Sequence, residues 1–74
     1  HARTELEAMR TEIVPRSEEG LSLARKGFDD GLFTQLEFLD AQRTLVEVRQ
    51  EYIEAASTFH RLVAEVERLL GEGL

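Results

Sequence analysis

A single uninterrupted heptad pattern occupies the C-terminal half of this 74-residue chain. Its apolar members alternate at steps of three and four residues: Phe38, Ala41, Leu45, Val48, Tyr52, Ala55, Phe59, Leu62, Val66 and Leu69. A mean spacing of about 3.5 residues is typical of a helix that packs along its length against another helix. The pattern therefore predicts one long α-helix, roughly 50 Å in length if it runs from Gln35 to Leu70 and closes at Gly71.

Two thinner apolar stripes accompany this seam. Their members are Leu39, Val46 and Ile53 on one flank, and Ala56, Val63 and Leu70 on the other. A helix with a single partner needs only one apolar seam, so the extra flanks predict that this helix contacts more than one neighbour.

The residues before the long helix predict a chain reversal. Asp29, Asp30 and Gly31 supply turn chemistry, and Gly31 can adopt a positive φ without steric cost. We interpret the two aspartates as solvated turn residues rather than as ligands.

Two local motifs mark the start of the long helix. Thr34 and Glu37 stand in capping-box register, in which the Glu37 amide donates to the Thr34 hydroxyl and the Thr34 amide donates to the Glu37 carboxylate. Phe33 and Phe38 flank this box at the two positions of a hydrophobic staple. Together these motifs predict a helix N-terminus at Thr34.

A second, less regular helix is predicted before the turn. One stripe on it comprises Leu6, Met9, Ile13, Gly20, Leu23 and Gly27, and an alternative stripe comprises Val14, Leu21, Ala24 and Phe28. Arg16 falls where the first stripe requires an apolar residue, so the sequence leaves the choice between the stripes open. Pro15 removes a helical hydrogen bond and clashes with the carbonyl of Thr11, which predicts a kink or short break near residues 13–15.

These elements predict an all-α fold, an antiparallel and coiled-coil-like helical hairpin. Its helices are expected over about residues 2–28 and 34–70, joined by a turn over about residues 29–33. Such a short connection is typical of an αα-hairpin. Because two helices alone bury little apolar surface, we expect the hairpin to self-associate, either as a dimer that forms a four-helix bundle or as a larger bundle.

Composition excludes several classes of protein. Cysteine is absent, so neither a disulfide framework nor a cysteine-bearing metal site is possible. The net charge of −6 disfavours nucleic acid, which binds basic surfaces, and also a membrane-surface helix, which is usually basic. No apolar run approaches the roughly 20 residues that span a bilayer.

The sequence predicts neither catalysis nor a cofactor. A hairpin without a pocket cannot gather a nucleophile, a base and an electrophilic site, so we do not expect an enzyme. A metal site needs several convergent ligands, and the spacing of Glu54, His60 and Glu67 does not bring them together. The other histidine, His1, is either native or left by cloning.

Several of these segments resemble TolC-like outer-membrane efflux proteins, particularly the heavy-metal and cation efflux branch. The most specific is the run LEFLDAQRTL at Leu36–Leu45, which follows the aromatic residue and the glycine of the turn, Phe28 and Gly31. The other matching segments are Glu12–Pro15, Tyr52, Ala55–His60 and Leu69–Gly71. The resemblance covers nearly the whole chain.

The resemblance implies that this chain is the C-terminal periplasmic helical hairpin of a larger protein. In that family, trimers build an outer-membrane β-barrel that continues as a periplasmic helical barrel, and the hairpin tips point towards the inner membrane. The chain would then be the periplasmic portion of an outer-membrane protein in a Gram-negative bacterium. It would contribute to an export conduit without itself contacting the membrane.

The resemblance also implies roles for residues at the turn. The tip that contacts the periplasmic adaptor protein of the pump would comprise Phe28, Asp29, Asp30, Gly31, Leu32 and Phe33. Glu37 and Asp40 match positions where some members place acidic residues that line the closed periplasmic entrance. The structural alternatives are the capping box for Glu37 and a helix-start pair with Arg43 for Asp40, and both are compatible with a pore-lining role.

An alternative function is a freestanding helical-hairpin module for oligomerisation or adaptor binding, without a role in transport. A longer parent protein with amphipathic β-strands would favour the channel over this alternative.

Overall fold

The computed structural model describes residues 2–72, so His1 lies outside the described residues. The elements are α1 (Ala2–Ala8), a π-helical turn (Met9–Ile13, here the π-turn), α2 (Val14–Asp29) and α3 (Gln35–Glu72). The first three form one arm that packs antiparallel against α3, in a rod of 65 × 16 × 14 Å. The predicted all-α helical hairpin is confirmed, and residues 2–72 contain no strand.

Helix α3 continues past Gly71, the residue at which the sequence predicted its end. Within residues 2–72 the glycine with a positive φ is Gly31, so Gly71 does not act as a left-handed cap. An ion pair between Arg68 Nη1 and Glu72 Oε1, 3.1 Å apart, spans Gly71 and supports the final helical turn.

An irregular turn precedes Pro15 in the first arm. Over Met9–Ile13 the helix widens to a π-turn, in which the Val14 amide donates to the Met9 carbonyl five residues back. The predicted disturbance at residues 13–15 therefore takes the form of a π-turn that ends just before the proline. It lies N-terminal to Pro15 because the proline affects the carbonyls of the preceding turn, to which it cannot donate.

The π-turn decides which apolar stripe of the first arm faces α3. A π-turn holds one more residue than an ordinary helical turn, so the facing side advances by one position across it. The residues with reduced exposure include Leu6 in α1, Met9 at the start of the π-turn, and Val14, Ser17, Leu21, Ala24 and Gly27 in α2. Ile13 and Leu23, from the competing stripe, remain 45% and 60% exposed. Arg16, the charged residue that interrupts the first stripe, is also exposed and lies outside the packed seam.

The two arms meet in a narrow core near the turn. Ala24 and Leu45 are 8% and 5% exposed, and Gly27 is also buried. The small residues on α2 let its backbone approach the larger side chains of α3. Because this core is small, many large apolar side chains stay exposed, among them Leu32, Leu36, Leu39, Val46 and Ile53.

Helix α3 also extends beyond the first arm at the end away from the turn. Leu6 and Met9 line a shallow groove with Ala55, Phe59 and Leu62. The apolar residues that follow along α3 are exposed: Val63, Val66, Leu69 and Leu70. Within residues 2–72, the first arm therefore covers only part of the heptad seam.

Charge contributes little to holding the arms together. Among the described residues, the ion pair that joins them is between Arg49 Nη2 and Glu18 Oε2, at 3.0 Å. Both side chains are about half exposed, and such a pair contributes no more than about 1 kcal/mol. Apolar contact along the seam is therefore the main source of stability.

Candidate functional site

The hairpin tip is the part of the molecule to which the sequence assigned a contact role, and backbone hydrogen bonds fix its shape. Helix α2 ends in a Schellman motif: the Leu32 amide donates to the Gly27 carbonyl at 2.8 Å, and the Gly31 amide donates to the Phe28 carbonyl at 3.0 Å. Gly31 has φ 76°, the left-handed conformation that this motif requires. The reversal is therefore a defined turn.

Phe33 closes the turn by packing on the backbone of Gly27. Its amide donates to the same Gly27 carbonyl at 3.1 Å, and its ring covers the glycine. A Cβ atom added at Gly27 would lie 2.6 Å from Cε2 and 2.9 Å from Cγ of Phe33, well inside van der Waals contact. Gly27 is therefore required by the position of this ring.

The first turn of α3 is held by Thr34 and Glu37. The Glu37 amide donates to the Thr34 hydroxyl at 3.1 Å, and the Thr34 amide donates to Glu37 Oε1 at 3.4 Å. The hydroxyl also donates to Oε1 at 3.1 Å. This is the reciprocal arrangement of a capping box, and it uses one oxygen of the Glu37 carboxylate.

An aromatic stack joins the two arms directly behind the turn. The rings of Phe28 and Phe38 are nearly parallel, with centroids 5.5 Å apart, and the Arg25 guanidinium lies 5.9 Å from the Phe38 centroid. The sequence had paired Phe38 with Phe33 in a hydrophobic staple. The ring that stacks on Phe38 is that of Phe28, and the Phe33 ring lies over Gly27.

The two acidic candidates have different surroundings. Arg43 donates to Asp40 Oδ1 at 2.5 Å and to Glu47 Oε1 at 3.3 Å. The hydrogen bond that Arg43 donates to Asp40, with the nearby charges of Glu47 and Asp40, raises the pKa of Arg43 above its usual value. The Asp40 charge is therefore compensated locally, whereas the contacts of Glu37 described above are with the uncharged Thr34.

The outer surface of the tip is apolar as well as acidic. Leu32 and Leu36 are 77% and 76% exposed, and Asp29 and Asp30 are exposed beside them. Leu36 was not among the residues predicted for the tip. Its position outside the heptad seam, in the first turn of α3, is the signal that could have identified it.

The described residues do not gather other site chemistry. Over residues 2–72, no three His, Asp or Glu side chains are grouped so that they could hold a metal ion. His60 is exposed and contacts the neighbouring Phe59 ring edge-on, at 5.9 Å. None of the helices in this range is both long enough and apolar enough to cross a membrane.

Comparisons with known proteins match this chain along nearly its whole length. The family model described as outer membrane efflux protein matches residues 1–72. The cobalt-zinc-cadmium resistance protein CzcC of Cupriavidus metallidurans is 30% identical over 70 residues, which are 95% of this chain and 17% of that protein. No solved structure matches the chain significantly.

The packing of Phe33 on Gly27 leads to a prediction for two glycines of α2. We expect Gly27→Ala to lower the free energy of unfolding by about 1–2 kcal/mol, because the new methyl group displaces the Phe33 ring. Gly20→Ala is the matched control: nothing lies within 4 Å of an added Cβ there, so it should stabilise the helix by about 0.5–1 kcal/mol. Urea unfolding followed by circular dichroism measures both.

A double variant separates the clash from any other effect at Gly27. With Phe33→Ala already present, the Gly27→Ala change should no longer destabilise the hairpin. If it costs the same in both backgrounds, the Phe33 ring is not the reason for the glycine.

Proposed function

Since this chain belongs to the outer membrane efflux protein family, we propose that it forms a periplasmic helical hairpin of an export channel and that its tip docks a periplasmic adaptor protein. The prediction that it is not an enzyme is confirmed, because this family and CzcC are transport proteins. Proteins of the family lie in the outer membrane, have periplasmic helical parts, form trimers and work with adaptor proteins.

The exposed apolar side chains of both arms are the observation that best supports a barrel of helices. Apolar side chains stay exposed along both arms, at Ile13 and Leu23 on the first arm and at Leu39, Val46 and Ile53 on α3. A closed ring of helices gives each arm a second neighbour that covers such residues, which a lone hairpin lacks. A freestanding module would need another partner for the same surfaces.

The tip suits a docking role because it combines exposure with a fixed shape. The Schellman motif and the capping box hold the backbone on both sides of Leu32, so little conformational freedom is left to lose on binding. Leu32 and Leu36 present apolar surface at the end of the 65 Å rod. An apolar centre within a polar rim is the usual composition of a protein interface.

Glu37 and Asp40 are proposed to line the narrow periplasmic end of the conduit. Threefold symmetry would repeat each carboxylate around the channel axis and make a ring that attracts cations. The name of CzcC, a cobalt-zinc-cadmium resistance protein, agrees with cation export as the function of the parent protein. Glu37 is the stronger candidate, because Arg43 already compensates Asp40.

The docking proposal predicts the effect of changing the exposed leucine at the tip. Leu32→Asn should weaken binding of this hairpin to the adaptor encoded with the parent protein by at least about tenfold, because a central apolar contact is lost. Leu70→Asn is the matched control, with 64% exposure at the opposite end of the rod. Biolayer interferometry measures both affinities, and equal affinities for the two variants would refute docking at the tip.

The proposed carboxylate ring predicts a change in ion preference. Glu37→Gln keeps the hydrogen-bonding geometry of the capping box but removes the charge. In the trimeric parent protein, we expect it to reduce the preference for cations in reversal potentials measured across a planar lipid bilayer. Glu67→Gln, towards the other end of α3, is the control; an unchanged reversal potential for Glu37→Gln would contradict a pore-lining position.

The exposed flanks also predict that the separate 74-residue chain associates with itself. We expect a dimer or a larger bundle, with at least twice the chain mass of 8.4 kDa in sedimentation equilibrium at micromolar concentration. Ile53→Ser should shift the equilibrium towards monomer, and Leu32→Ser at the tip should not. A fully helical monomer at this concentration would disprove the need for a partner.

A further inference from the structure

In one continuous α-helix, the apolar residues before Val14 and those of α2 would not lie on the same side of the first arm. In α2 the packed side passes through Val14, Ser17 and Leu21, at the steps of three and four residues that an α-helix requires. Continuing those steps backwards from Val14 reaches Arg10, then Glu7, then Arg3. All three side chains are charged, and all three are exposed in the structure.

The π-turn corrects this difference in phase. The residues before Val14 that face α3 are Leu6 in α1 and Met9, the first residue of the π-turn, and Met9 precedes Val14 by five positions. The hydrogen bond from the Val14 amide to the Met9 carbonyl spans the same five positions. The extra residue of the π-turn therefore places an apolar face of α1 on α3 in place of a charged one.

Pro15 favours the π-turn over a regular helix. In an unbroken α-helix, the Thr11 carbonyl would face the proline ring and receive no hydrogen bond from it. In the observed structure, the Thr11 hydroxyl in the π-turn donates to the carbonyl of Glu7 in α1, at 2.7 Å. Removal of the proline ring would make the regular helix available again.

We propose that α1 is a strap on α3 whose attachment depends on the π-turn. When the π-turn converts to α-helix, Arg10 and Glu7 rotate towards Ala55 and Phe59, and α1 leaves α3 because charged side chains are costly to bury there. The exposed ion pair between Arg3 and Glu7, 3.4 Å apart, lies within α1 and adds modestly to the stability of this helix in either state. Pro15 holds the strap closed by penalising the α-helical state.

Opening of the strap would change the surface of α3. Ala55 and Phe59 are half-buried beside Leu6 and Met9. Their release would extend the exposed apolar surface of Val66 and Leu69 further towards the middle of the helix. The tip lies at the other end of the rod, so its hydrogen bonds and the Phe28–Phe38 stack stay intact.

Thiol labelling tests the strap, because the chain has no native cysteine. Ala55→Cys reports on the surface under α1, and Ala41→Cys, in the groove formed with Ser17 and Leu21, is the matched control under α2. Each reporter is placed in the native background, in Pro15→Ala, and in Pro15→Ala with Arg10 deleted. Deletion of Arg10 puts Met9 four positions before Val14, so a regular helix then keeps α1 attached.

We expect Ala55→Cys to label about tenfold faster in Pro15→Ala than in the Arg10-deleted variant, as a minor open state becomes populated. The native chain should label more slowly than Pro15→Ala, and this comparison stands even if the deletion variant does not fold. Ala41→Cys should label at one rate in the native and Pro15→Ala chains. Equal labelling of Ala55→Cys in those two chains, or equal acceleration of both reporters, would overturn the proposal.

Discussion

Close approach of the two arms beside the turn is the constraint on which the rest of the structure depends. Gly27 and Ala24 leave room for the backbone of α2 to reach α3, where Leu45 is the most deeply buried large side chain. The same approach brings Phe28 onto Phe38 and leaves a flat backbone surface under Phe33. A side chain at Gly27 would displace the Phe33 ring, which closes the turn.

This narrow core explains both the shape of the molecule and its incompleteness. A two-helix rod can bury one seam, so the remaining apolar residues of α3 stay exposed. In a family whose members form trimers, these exposed flanks are what neighbouring helices would cover. This agrees with our proposal that the hairpin is one element of a larger helical wall, and backbone hydrogen bonds define the shape of its tip.

Electrostatics has a local role in this chain. Pairs such as Arg43 with Asp40 and Glu47 lie within single helices and are exposed, so they support helix formation more than contact between the arms. The net charge of −6 remains after this pairing. Glu37 is different, because its hydrogen-bond partner Thr34 is uncharged. The negative charge of Glu37 can therefore attract positively charged groups near the tip.

Local sequence alone determined the all-α hairpin: a heptad seam needs only residue spacing, and Gly31 marks the turn because few other residues adopt a positive φ. Thr34 and Glu37 stand three residues apart, the spacing that their reciprocal hydrogen bonds require. Only the tertiary structure decided which stripe of the first arm packs and which ring meets Phe38. The sequence contains two stripes that differ by one position, and a choice between them requires the π-turn and the contacts with α3. Such contacts join residues far apart in the chain, so no local pattern contains them.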